Sequence, residues 1–194
     1  QSVLIDSGVT EIGSGAFEEC VSLKTIQFPE TVESIGERIF YACKSLESIN
    51  ITNNWKQIPL NTFYGCNALK SIYIPDSVTY IREEAFYKCS SLESINIPVS
   101  VKSIKPNSFG YCSSLVTLRI TGVGPMFNAT SKENQLFRSF NYQIHNVSIE
   151  SGVTSIGPYA FYSFTNLTSI NVSDTVTSIE KYAFYDCQLL SSIK

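Results

Sequence analysis

Phenylalanine recurs through this chain at a fixed interval. Phe17, Phe40, Phe63, Phe86 and Phe109 each lie 23 residues from the next. Other apolar residues keep step with them, so the chain can be written as repeats of V-x-x-I-x-x-x-x-A-F-x-x-C-x-x-L-x-x-I-x-I-P. Val78–Pro98 is the clearest copy. A period of 20–30 residues with its apolar positions locked in place is the signature of a solenoid, in which each unit buries its apolar side only by stacking on its neighbours. This constrains the fold more than any other feature of the sequence.

The repeats predict one array over residues 1–194, with about eight repeats and with the terminal caps outside this stretch. One copy, residues 122–149, departs from the pattern. From Phe109 to Phe161 is 52 residues, two periods plus six. Placing Phe137 in the Phe position and Phe140 in the Cys position puts the insertion at residues 128–135, with one further residue before Val147. Within each unit the L-x-x-I-x-I part alternates apolar and polar residues, which is strand periodicity. The residue that follows (Pro, Asp, Ser or Gly) turns the chain. The A-F-x-x-C-x-x-L part has spacings of three to five, which suit a short helical or 3₁₀ turn. The predicted fold class is therefore an α/β solenoid. One short parallel strand per coil forms a concave sheet, and short helical or 3₁₀ turns and loops lie on the convex side. Nine strands at about 4.8 Å spacing would make a sheet about 40 Å long.

Ile81, Ala85, Phe86, Cys89, Leu92, Ile95, Ile97 and Pro98, with their counterparts in the other copies, resemble the BspA-like (Treponema-type) 23-residue leucine-rich repeats. The resemblance covers nearly the whole chain. It implies a surface-exposed or secreted protein, often an adhesin that binds host or microbial proteins, and it implies no catalytic activity.

Charge narrows the partners. With 14 Lys and Arg against 17 Asp and Glu the net charge is −3, and no basic run occurs. Nucleic acids and anionic membranes are recognised by clustered Lys and Arg, so neither is an expected partner. No apolar run reaches the roughly 20 residues that span a bilayer. No cofactor is expected. No nucleotide-binding, zincin or serine-hydrolase motif is present. His145, the only histidine, stands outside any catalytic motif and reads as a surface or rim residue. A deep acid-lined pocket beside it would be needed to suggest an enzyme.

Cys20, Cys43, Cys66, Cys89 and Cys112 recur at the repeat interval, and Cys187 holds the same place later. A position that also accepts Phe140 and Phe164 reads as a buried apolar slot holding free thiols rather than as a metal site or a set of disulfides. Two columns point away from the core along the strands. One is uniformly small and polar: Thr25, Ser48, Ser71, Ser94, Thr117, Asn146, Ser169 and Ser192. The next varies: Gln27, Asn50, Tyr73, Asn96, Arg119, Ser148, Asn171 and Lys194. A solvated sheet face with hydroxyl ladders explains both columns. A concave protein-binding surface explains them equally, with Tyr73, Asn96, Arg119, Asn50, Ser71, Ser94, Thr117, Ser148 and Asn171 as its contact set. Lys24, Glu47, Lys70 and Glu93 alternate in charge, as ion pairs between coils would. Tyr41, Tyr64, Tyr87, Tyr162 and Tyr185 read as an inter-coil stack, with a second aromatic contact surface as the alternative. Five N-x-[ST] sequons occur, against about three expected by chance. Asn128 in the insertion is the expected acceptor, because sugars on Asn50 or Asn171 would crowd the proposed face. The sequence thus points to a non-catalytic, extracellular or surface-exposed protein-binding module. The alternative is an intracellular scaffold, which free thiols also fit.

Overall fold

The computed structural model describes residues 1–194. The chain is a parallel-stranded β-solenoid of about eight turns with little helix. The L-x-x-I-x-I segments form a long row of strands. Ser2–Leu4, Thr25–Gln27 and Ser48–Ile49 make a three-stranded parallel ladder. Ser71–Ile72, Ser94–Pro98, Thr117–Thr121, Asn146–Ile149, Ser169–Val172 and Ser192–Ile193 make a six-stranded one. Registers are regular: Ser71 pairs with Ser94, Ser94 with Thr117, Thr117 with Asn146 and Asn146 with Ser169. Each strand therefore keeps its isoleucines inward and its small polar residue outward. Turns with i→i+3 bonds follow, as from the Val78 N–H to the Pro75 carbonyl and from the Val101 N–H to the Pro98 carbonyl (3.0 Å each).

Two expectations about the coil are corrected. The first is strand number. A second row of mostly two-residue strands runs along the array, in the ladders Glu11–Ile12/Ser34–Ile35, Gln57–Ile58/Tyr80–Ile81/Ser103–Ile104 and Gly124–Pro125/Val153–Ile156/Ser178–Ile179. Most coils thus contribute two strands, not one.

The second concerns the predicted helical turns of the regular coils. In these coils the residues two before and two after the Phe have positive φ: Gly15 and Glu19, Arg38 and Ala42, Asn61 and Gly65, Glu84 and Lys88, Asn107 and Tyr111, Tyr159 and Ser163, Tyr182 and Asp186. A left-handed residue reverses the winding that consecutive right-handed residues build up, so no helix can propagate through the segment. The backbone N–H groups point along the array instead. Phe17 donates to Ile39 (3.0 Å), Phe40 to Thr62 (2.9 Å), Phe63 to Ala85 (2.7 Å) and Phe86 to Ser108 (2.8 Å). These inter-coil bonds, about 0.5–1.5 kcal/mol each, offset the left-handed conformations. The 3₁₀ turns, Lys132–Asn134 and Asn141–Gln143, both fall in the irregular coil.

One cluster of 45 buried side chains runs the length of the molecule. The phenylalanines stack: centroids are 5.7 Å apart for Phe17–Phe40, 5.6 Å for Phe40–Phe63, 5.2 Å for Phe63–Phe86 and 5.1 Å for Phe86–Phe109. All six cysteines are unpaired; Cys43, Cys66, Cys89 and Cys112 are buried and Cys20 is exposed. Each thiol from Cys43 to Cys112 donates to the Phe carbonyl of the coil before, as from Cys89 to Phe63 (3.1 Å) and from Cys112 to Phe86 (3.0 Å). The slot therefore suits a small apolar group with one weak donor. Burial pushes the Cys43 thiol up to about 11 and Cys112 to about 12, and raises Cys66 and Cys89 well above the ordinary value. On the surface Tyr41, Tyr64 and Tyr87 stack at 4.6 and 5.1 Å, as do Tyr162 and Tyr185 at 5.0 Å. Of the alternating charges, Lys24 and Glu47 form an ion pair (2.9 Å) and the others do not.

The irregular coil keeps its place in the long sheet and, elsewhere, against the coil after it, but not against the coil before it. Phe137 stacks on Phe161 (5.9 Å, 14°), as its alignment in the Phe position predicts. Phe109, however, meets Phe140 at 4.6 Å and 49°, so the phenylalanine stack breaks between the fifth coil and the sixth.

Candidate functional site: the outer face of the long sheet

The outward residues of the long row form a continuous polar face. Its first column is a partial hydroxyl ladder: Thr25 donates to Ser2 Oγ and Ser169 to Asn146 Oδ1, both at 2.8 Å. Ser71 is exposed, whereas Ser94 and Thr117 are half-buried between their neighbours.

The second column divides into two chemical kinds. Asn96 is only 8% exposed. Its Oδ1 accepts from the Ile74 N–H and its Nδ2 donates to the Ile74 carbonyl, both at 2.9 Å, with a longer contact from Nδ2 to Thr121 Oγ1. Asn50 does the same for Phe28, accepting from its N–H (3.0 Å) and donating to its carbonyl (3.1 Å). Each carboxamide clamps the backbone of the coil before it. Both side chains are thus engaged by the neighbouring backbone, while Asn50 remains exposed and Asn96 lines the groove beside Tyr73 and Arg119. A carboxamide carries a donor and an acceptor side by side, the set a strand's outward N–H and C=O require. Asn96 is therefore a structural residue.

Tyr73 and Arg119 occupy the same column without clamping anything. Tyr73 is 62% exposed. Arg119 lies one coil beyond Asn96 in ladder register. Its guanidinium reaches Glu150 Oε1 (3.1 Å from Nη2, 3.2 Å from Nε), and Ser148 Oγ donates to the same oxygen (2.9 Å). The pair is largely solvated, so its strength is about 0–1 kcal/mol and an incoming acidic group can displace it. Tyr73, Arg119, Ser71 and Ser94 line a shallow groove of about 280 Å³. A second groove of about 300 Å³ continues along the face past Thr117, Ser148 and Asn171 to Lys194. Glu150 escapes sequence reasoning because it sits 31 residues from Arg119, across the irregular coil. A signal exists all the same, since Glu150 occupies the place Pro98 holds in the regular copy.

Elsewhere, Asn128 is exposed, in the insertion. His145 lies beside a cavity of about 520 Å³ between the fifth and sixth coils, and no Asp or Glu lines it. No helix is long and apolar enough to cross a membrane.

Comparison with known proteins agrees with this geometry. No curated protein matches the chain. Among solved structures it is similar to a leucine rich cell surface protein from Faecalibacterium prausnitzii, with 36% identity and a TM-score of 0.61 over 62% of this chain and 32% of that one. The chain thus spans about a third of that protein's length. It shares its fold with the leucine rich repeat protein of T. pallidum (24% identity, TM-score 0.60, 98% of this chain and 78% of that one). It also shares its fold with a chain of the Drosophila Toll–Spätzle complex (14% identity, TM-score 0.56, 99% and 29%). The BspA type leucine rich repeat region matches residues 1–116 and 128–194 in six copies. The chain belongs to the BspA-type leucine-rich repeat family, whose members are generally non-catalytic scaffolds.

Proposed function

We propose that the chain is a non-catalytic protein-binding module of a surface-exposed or secreted recognition protein or adhesin. In this reading it binds a host or microbial protein through the outer face of the long sheet, the concave face of a leucine-rich repeat array. The observation that carries this reading is the division of the second column. At Asn50 and Asn96 the side chain is spent on the neighbouring backbone, whereas Asn171 makes no such clamp and lines the second groove. Tyr73 and Arg119 instead project into one shallow groove. Tyr and Arg are the residue types that most often anchor protein interfaces, and this pair brackets a rigid, clamped residue. Their loosely paired neighbour Glu150 gives the site both signs of charge. The Faecalibacterium relative, described as a cell surface protein, supports the location. Asn128, exposed and away from this face, is where an N-linked sugar would be tolerated.

Replacing Tyr73 and Arg119 together by Ser tests the reading. Binding to the partner should fall at least a hundredfold while the unfolding midpoint shifts little. Undiminished binding would move the interface elsewhere. A second reading, an intracellular scaffold using the same face, is favoured by the six unpaired thiols. Labelling intact cells with an antibody to the chain separates the two.

A further inference from the structure

We propose that the wedge between the fifth coil and the irregular coil is a binding pocket for a singly charged carboxylate that carries a neighbouring hydrogen-bond donor. Backbone donors are not used uniformly along the array. In the coils centred on Phe17, Phe40, Phe63, Phe86 and Phe161, the N–H groups of the Phe and of the residues two before and two after it donate to carbonyls of the next coil, Glu84 excepted. In the coil centred on Phe109 none of the three does, as in the irregular coil centred on Phe137: the N–H groups of Asn107, Phe109 and Tyr111 have no backbone or side-chain acceptor. The carbonyls that should meet them belong to the irregular coil. That coil stays in ladder register on the long sheet, from Thr117–Asn146 to Ile120–Ile149, and swings away on the opposite side. The second row of strands lapses there too, between Ser103–Ile104 and Gly124–Pro125.

The swing leaves the cavity of about 520 Å³ beside His145, a volume typical of small-ligand sites. Asn107 and Tyr111 line it. Unpaired backbone N–H groups carry fixed partial positive charge that favours an anion. Those of Asn107 and Tyr111, with φ of +58° and +57°, are unpaired at this cavity. A second, independent observation marks the opposite wall. Ser139 and Gln143 line the same cavity, and their Oγ and Oε1 atoms, which have no exposed surface, lack a hydrogen-bond partner. No Asp or Glu lines the cavity to repel an anion, and no Lys or Arg is there to neutralise a dianion. That balance suits a carboxylate better than a phosphate. The carboxylate accepts from the N–H groups at Asn107 and Tyr111 and, once the Ser139 and Gln143 side chains turn into the cavity, from Ser139 Oγ, while Gln143 Oε1 accepts from a hydroxyl or amide N–H on the ligand. Tyr111 and Tyr142, 69% and 55% exposed, flank the mouth and offer faces to an apolar body. An N-acylated amino acid has all three parts, whether as a free small molecule or as the C-terminus of a peptide.

The test is titration of the ¹⁵N-labelled chain with N-acetylphenylalanine, with N-acetylphenylalaninamide and with a hexapeptide ending in phenylalanine, read as backbone amide shifts. The acid should move the Asn107, Phe109 and Tyr111 resonances saturably, and the amide should bind at least tenfold more weakly. Ser113→Trp, at an exposed rim position, should block the effect without unfolding the chain. Either order of affinity between free acid and hexapeptide supports the proposal and assigns the source of the carboxylate. Absence of shifts with both acids, equal binding of the amide, or shifts that persist in Ser113→Trp would each overturn it. The first of these would mean that the cavity holds only water.

Discussion

Asn96→Ala is the perturbation that best separates structural from recognition roles on the long sheet. The Asn96 carboxamide makes two 2.9 Å bonds to the N–H and carbonyl of Ile74, a residue with no solvent exposure. Truncation removes both bonds. It also leaves two buried backbone groups short of a partner, at roughly 1–3 kcal/mol each before any water enters. Partial rehydration through the gap left by the side chain brings the expected loss to about 2–4 kcal/mol. For a chain of this length that is a fall in melting temperature of about 5–15 °C. Tyr73→Ala, one coil away in the same column, removes a mostly solvated side chain and should cost less than about 1 kcal/mol. Urea unfolding followed by circular dichroism measures both, with the dependence on denaturant checked for a single transition. If Asn96→Ala is no more destabilising than Tyr73→Ala, the clamp is not a stabilising element and Asn96 returns to the set of contact residues.

Other outcomes follow from the coil itself. Ala42 adopts φ +57°, and Gly65 fills the equivalent place one coil on. Ala42→Gly should therefore stabilise the array by about 0.5–1 kcal/mol, measured by the same unfolding assay. Gly110→Ala should destabilise it, because a Cβ there would lie 2.8 Å from the Tyr87 ring; near-UV dichroism should report a displaced tyrosine. Phe86→Ala, in the middle of the phenylalanine stack, should cost about 3–5 kcal/mol on unfolding. The buried thiols make stability depend on alkaline pH. The unfolded chain releases their protons near 9, whereas Cys43 and Cys112 hold theirs to about 11 and 12. The native state then binds more protons than the unfolded one, so stability should fall as pH rises from about 9 to 11. A series of unfolding curves across that range, repeated with Cys43→Ala and Cys112→Ala, checks the sign and the source.

The repeat made the core legible. Residues 23 apart in sequence sit above one another in the structure, so Phe86, Cys89, Leu92, Ile95 and Ile97 could be assigned inward from spacing alone. The turn around Phe86 could not. Spacings of three to five fit a helix and a chain of turns equally. The two left-handed residues that decide the matter, Glu84 and Lys88, carry no glycine to announce it. The second strand row was hidden by its length, since two residues such as Tyr80–Ile81 are too few to show alternation. On the sheet face, outward direction was legible but availability was not. Asn96 and Tyr73 share a column, and only the hydrogen bonds to Ile74 show that one is spent and the other free. The wedge depends on how far one irregular coil swings from its neighbour, which its sequence does not encode locally.

The most direct test of the proposed recognition face is binding of the fluorescently labelled chain to intact host cells and to whole bacteria, before and after protease treatment of their surfaces. The native chain is set beside the Tyr73→Ser/Arg119→Ser double variant, and both are first shown to unfold at the same midpoint. The account predicts saturable, protease-sensitive binding by the native chain that the double variant loses. Binding that survives the double substitution, or that is absent from the native chain on every surface, would contradict it.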